Sequence, residues 1–113
     1  MTPRRVAAVF ATVAAGLVLA SPARADVDTD FAAQLHTYGI YGQRDYNAWL
    51  AKIACQRLSS GLDASADQAV TFLSHNLERN TTRVQQWQFL GAAITYYCPE
   101  LTPVWESAAG QHN

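Results

Sequence analysis

The chain has 113 residues, 50% hydrophobic and 15% charged, with a formal net charge of −1. That length admits one small domain, and the lack of any basic cluster argues against nucleic acid or an anionic lipid surface as partner, since both need concentrated positive charge. The two cysteines form no C-x-x-C pair and stand in no His/Cys cluster, which excludes the usual zinc and dithiol motifs.

The first 25 residues read as a secretory signal peptide. Arg4 and Arg5 give a short positive start, residues 6–20 form an uncharged apolar run, and Ala23-Arg24-Ala25 follows Ser21-Pro22 as an A-x-A motif. Cleavage is expected before Asp26. The apolar run, about 15 residues, falls short of the roughly 20 that a spanning helix needs. The mature chain is therefore expected to have no transmembrane segment and to be secreted, into the cell envelope or the extracellular space. Losing Arg4, Arg5 and Arg24 leaves five basic residues against nine acidic ones, a net charge of about −4.

Beyond Asp26 every segment reads helical. Residues 28–38 form the first expected helix, with Phe31, Leu35 and Tyr38 on one stripe. Gly39 is placed to close it, with Ile40 folding back on Leu35. Residues 45–60 form the second, with Asp45 as N-cap and Tyr46, Trp49, Leu50, Ile53, Ala54 and Leu58 as its apolar face, Cys55 lying at the edge. The third spans 65–79 and opens on Ser65-Ala66-Asp67-Gln68, a capping box. Ala69, Val70, Leu73 and Leu77 form its buried face, and Asn80 suits its C-terminal turn. The fourth spans 82–98, opens on the same signature at Thr82-Arg83-Val84-Gln85, and ends at Pro99. Gly91 on its apolar face implies a close helix crossing there. Residues 100–113 read as a partly disordered tail interrupted by Pro99 and Pro103, with only Trp105 able to dock.

A domain of about 88 residues buries only about 60–65% of its unfolded surface, so it needs a staple. Cys55 and Cys98 supply it, since export places both in an oxidising compartment and two thiols allow one intramolecular pairing. Closing a loop of 43 residues contributes roughly 4 kcal/mol by the chain-entropy relation. The expected fold is an all-α, four-helix bundle clasped by Cys55–Cys98, within a domain at residues 26–99.

Asp30-Phe31 with Leu35 and Gly39-Ile40, then Ala54-Cys55-Gln56-Arg57-Leu58-Ser59-Ser60-Gly61, then Ala93-Ile94-Thr95-Tyr96-Tyr97-Cys98-Pro99, resemble the exported mycobacterial family labelled domain of unknown function 732. The likeness covers essentially all of residues 26–99. It implies a secreted α-helical domain with one disulfide between the second and last helices, and it brings no assigned activity or site residue. This chain is richer in Trp and Tyr than that family's usual look and carries a longer tail after Pro99.

Candidate chemistry is sparse. His36, His75 and His112 show no H-x-x-x-H or H-x-E spacing, so no metal is expected, and no cofactor. Ser74 and His75 point about 100° apart on a helix and cannot pair as nucleophile and base. Asp63 and Asp67 suit a helix N-terminus, and Asn80-Thr81-Thr82 reads as a C-cap followed by an N-cap. A catalytic role is therefore not expected. The aromatics Tyr38, Tyr41, Tyr46 and Trp49, beside Tyr97, form the candidate binding patch. The expected function is binding of a protein partner. The alternative is a carrier of a small apolar ligand such as haem or lipid, which would need a large apolar cavity among the helices.

Overall fold

Local chemistry sets most of the helix boundaries. The computed structural model describes residues 23–111, so the leader, up to residue 22, and His112 lie outside the described residues. Among those described, five α-helices and one 3₁₀ turn follow in order: α1 (Ala23–Thr37), α2 (Arg44–Ser60), α3 (Ala66–Ser74), α4 (Arg83–Tyr97), the 3₁₀ turn (Pro99–Leu101) and α5 (Thr102–Gln111). The fold is all-α, and Cys55 and Cys98 are bonded with their Cα atoms 6.0 Å apart.

α1 ends as its residues imply. Gly39 takes φ 78°, its amide donates to the His36 carbonyl, and the Ile40 amide donates to that of Leu35. Ile40 is thereby folded onto the core. α4 opens on a complete capping box: Thr82 Oγ1 accepts from the Gln85 amide at 3.1 Å and Gln85 Oε1 accepts from the Thr82 amide at 2.9 Å. At α3 the Ser65 hydroxyl accepts from the Gln68 amide, whereas the Gln68 side chain accepts from Ala64 rather than from Ser65.

α1 begins at Ala23 rather than at residue 28, and α2 and α3 also differ from expectation. The N-cap of α2 is Gln43, in extended conformation, and Asp45 lies inside the first turn, where its charge suits the helix dipole. α3 stops at Ser74, short of residue 79. Asn76 Nδ2 takes the Phe72 carbonyl at 2.8 Å and the amides of His75 and Asn76 bond three residues back, so the side chain competes with the next turn. The buried face of α2 is also rotated from the one expected. Asn47, Ala48, Leu50, Ala51, Ala54 and Cys55 point inward, while Tyr46 and Trp49 are exposed. The small side of the helix faces the interior, and Cys55 on that side is bonded to Cys98.

α4 is the central element and packs against each of the other four helices. Phe31 meets Phe89, Tyr97 and Tyr96 edge-on, with centroids 5.4, 5.2 and 6.0 Å away. Leu35, Leu50, Val70, Leu73, Leu90 and Ile94 complete the buried interior. The segment after Pro99 is more ordered than a tail with one docking ring. Pro99 and Pro103 each fall in the first turn of a helical element, where the missing N–H costs nothing. Leu101, Trp105 and Ala108 all pack on the core, and Trp105 Nε1 donates to the Trp87 carbonyl at 3.1 Å.

The close approach read at Gly91 is made by Trp105. A Cβ built on Gly91 would lie 3.0–3.2 Å from three atoms of that indole. Gly91→Ala gains about 1 kcal/mol of helix propensity, yet we expect net destabilisation by about 1–3 kcal/mol through overpacking. A lower urea midpoint with red-shifted Trp fluorescence checks this; a raised midpoint contradicts it.

Candidate functional site

The expected aromatic patch divides over three surface concavities. Tyr41 and Tyr46 line one of about 420 Å³, formed where the α1–α2 loop meets the α3–α4 loop. Tyr38 lines a second of about 440 Å³ with Tyr96 and Trp105, and Tyr97 a third of about 460 Å³ with Asp28 and Lys52. Trp49 lines none of these three, but its ring lies 5.9 Å from that of Tyr46. The exposed members are Tyr41 at 65%, Trp49 at 55% and Tyr46 at 39%. Tyr41 also sits 5.0 Å from the His36 ring.

Tyr38 and Tyr97 serve the framework. The Tyr38 hydroxyl accepts from Gln34 Nε2 at 2.8 Å and its carbonyl accepts from Gln85 Nε2 at 3.0 Å. The capping glutamine of α4 thus also ties down the α1–α2 loop. Tyr46, though exposed, is oriented by a 2.7 Å bond from its hydroxyl to the Asn76 carbonyl. The first concavity is therefore held on both sides by bonds between elements distant in sequence.

Sequence reasoning passed over the polar floor of this concavity. Asn47 shares a helix face with Leu50, Ala51 and Ala54 and is only 7% exposed. An amide in step with an apolar stripe was the signal available. Gln43 and Asn80 line the same concavity.

Residues 27–100 match the family described as "Protein of unknown function (DUF732)". The chain belongs to this family. Two relatives of unknown role are similar along almost the whole chain: uncharacterized protein MT0585 of Mycobacterium tuberculosis (strain CDC 1551 / Oshkosh) and uncharacterized protein Rv0559c of Mycobacterium tuberculosis (strain ATCC 25618 / H37Rv). Each is 50% identical over 109 residues, covering 96% of this chain and 97% of the relative. No solved structure matches. Within this DUF732 chain the family match ends at residue 100, before α5.

Two polar clusters tie the DUF732 helices together. Arg57 Nε and Nη2 donate to the two oxygens of the buried Asp63 at 2.9 and 3.1 Å, and the guanidinium lies 4.2 Å from the Phe72 ring centroid. This fork fixes the α2–α3 loop and pushes the Arg57 guanidinium further up from an already high pKa. The Tyr97 hydroxyl donates to Asp28 at 2.6 Å, and Lys52 Nζ lies 3.6 Å from the same carboxylate and 5.4 Å from the Tyr97 ring centroid. Among the described residues no group of three or more His, Cys, Asp or Glu is placed to hold a metal ion.

Burial, followed by the bond to Asp28 and that carboxylate's charge, pushes the Tyr97 phenol well above its ordinary pKa. The folded state therefore keeps a proton that the unfolded chain releases near pH 10, so this contribution is fully present below about pH 10 and is lost as pH rises towards the folded value. Tyr97→Phe should lower stability by about 1–2 kcal/mol at neutral pH and flatten part of the loss above pH 10. Urea unfolding from pH 8 to 11 checks both; an unchanged alkaline slope contradicts the assignment.

Proposed function

We propose that this protein is exported and works outside the cytoplasm as a non-catalytic binding module that engages a protein partner through Tyr41, Tyr46 and Trp49. The observation that carries this reading is the exposure of those three rings on a rigid frame. Tyr46 and Trp49 project from one face of α2, and Tyr41 stands on the adjoining loop. Tyr and Trp are the residue types that concentrate binding energy at protein interfaces, and aromatic faces left in water mark interaction surfaces.

Export is supported by the tripartite leader in the sequence and by the Cys55–Cys98 bond, which persists in oxidising compartments. A non-catalytic role is supported by the commitments of the reactive groups. Both cysteines are bonded, Asp28 and Asp63 are engaged by Tyr97 and Arg57, and His36 stacks on Tyr41. The haem or lipid reading has less support, because Phe31, Phe89, Leu50 and Leu73 fill the bundle interior and the concavities lie at its surface.

Two measurements test the proposal. Protein recovered outside the cells should begin at Asp26. A photo-crosslinking residue at position 49 should trap a discrete protein in the envelope fraction or medium, while the same residue at Ser59 should not. Protein retaining residues 6–20 in the membrane fraction, or equal trapping from both positions, contradicts the proposal.

A further inference from the structure

We infer that the concavity between the α1–α2 and α3–α4 loops is a binding site for a neutral carbohydrate, with the Asn47 carboxamide at its floor. This goes beyond the protein-partner reading and does not depend on it. Asn47 lies inside α2 and is more than nine-tenths buried, yet its side chain makes no hydrogen bond to the described residues, and its amide atoms are not sealed from solvent. Asparagine is a weak helix former, and this amide turns its hydrogen-bonding groups to solvent rather than to the protein. The fold draws no return from it.

A glycine stands beside that amide. Gly42 takes φ 120°, and a Cβ built there would stand 3.6 Å from Asn47 Nδ2, at the lip of the same concavity. Gln43, although it is the N-cap residue of α2, makes no capping bond with its side chain. Asn80 is exposed on the opposite wall, and its side chain too makes no bond to the described residues. Three uncommitted carboxamides thus converge on one space. Gln85 on the same wall shows the contrast, being used twice by the fold.

The lining selects the ligand. A carboxamide offers an acceptor and two donors side by side, the match for adjacent sugar hydroxyls, each of which both donates and accepts. Tyr41 and Tyr46 offer flat, electron-rich faces for the C–H face of a sugar ring. No Lys, Arg or His lines the concavity, and its single charged residue is Glu78, which accepts from hydroxyls and repels phosphate, sulfate or carboxylate. A lipid chain would leave the amides unpaired. The volume, about 420 Å³, falls within the roughly 300–1,000 Å³ usual for small-ligand sites.

The test is saturation-transfer NMR on the oxidised mature chain with short gluco-, manno- and galacto-oligosaccharides, an oligogalacturonate as the acidic comparator, and a neutral Gly-Ser peptide. At least one neutral oligosaccharide should show transfer to its ring protons, with oligogalacturonate much weaker. Asn47→Ala and Asn80→Ala should each raise Kd about tenfold, while His75→Ala leaves it unchanged. Asn80 is exposed, so its variant carries the test should Asn47→Ala fold poorly. No transfer from any neutral oligosaccharide, equal transfer to oligogalacturonate, equal transfer to the peptide, or an affinity indifferent to both asparagine variants overturns the inference. These readouts turn on Asn47 and Asn80, whereas the crosslink reads position 49, which does not line the concavity, so either proposal can fail alone although Tyr41 and Tyr46 belong to both.

Discussion

The bond between Cys55 and Cys98 is the constraint on which the rest of this structure depends. It joins the inward face of α2 to the end of α4, 43 residues later, at the interface between the two central helices. Both helices bury several alanines, Ala48, Ala51 and Ala54 on α2 and Ala92 and Ala93 on α4. Alanine permits close backbone approach but removes little apolar surface from water, and hydrophobic stabilisation scales with that area. The large buried side chains are few: Phe31, Phe89, four leucines, Ile94 and Val70. A domain this small with so lean an interior gains from reducing the freedom of its unfolded chain, and a covalent link does that.

Once α2 and α4 are clasped, the other elements are placed by α4. Phe31 and Tyr97 bring α1 against it, and the gap at Gly91 receives Trp105 of α5. At its N-terminus, Gln85 caps the helix and also holds the Tyr38 carbonyl, while Tyr46 holds that of Asn76. The loops that wall the Asn47 concavity are therefore fixed by the bonds that finish the helices. Its geometry belongs to the frame, which is the condition for a pre-formed site.

Much of this was legible in the residues. Phe31, Leu35 and the Gly39-Ile40 closure follow from helical spacing and C-cap chemistry, and Thr82 with Gln85 spells out a capping box. The disulfide followed from two cysteines behind an export signal. Other features depend on tertiary competition that a helical wheel cannot weigh. The wheel placed Tyr46 and Trp49 inward by hydrophobicity, whereas the fold turns the alanine side in and leaves both rings exposed. Asn76 ended α3 early through one side-chain bond. Pro99 ends α4 as its residue type implies, yet Pro99 and Pro103 also fall in the first turns of the helical elements that follow, where an interrupted tail was expected. Of the five aromatics grouped as a patch, Tyr38 and Tyr97 turned out to be struts, because hydroxyl partners are set by the fold. Asn47 stood in the apolar stripe and marks the floor of the concavity.

The proposed roles of the rings and carboxamides rest on the frame, so the clasp is the first thing to measure. Urea unfolding of the oxidised protein beside the Cys55→Ser/Cys98→Ser double variant does so directly. The variant should lose about 2–4 kcal/mol, a large share of the total for a domain of this size. A variant that unfolds within about 0.5 kcal/mol of the oxidised protein, inside the range of a neutral surface substitution, would show that the packed helices hold by themselves and would contradict the central role of the Cys55–Cys98 bond.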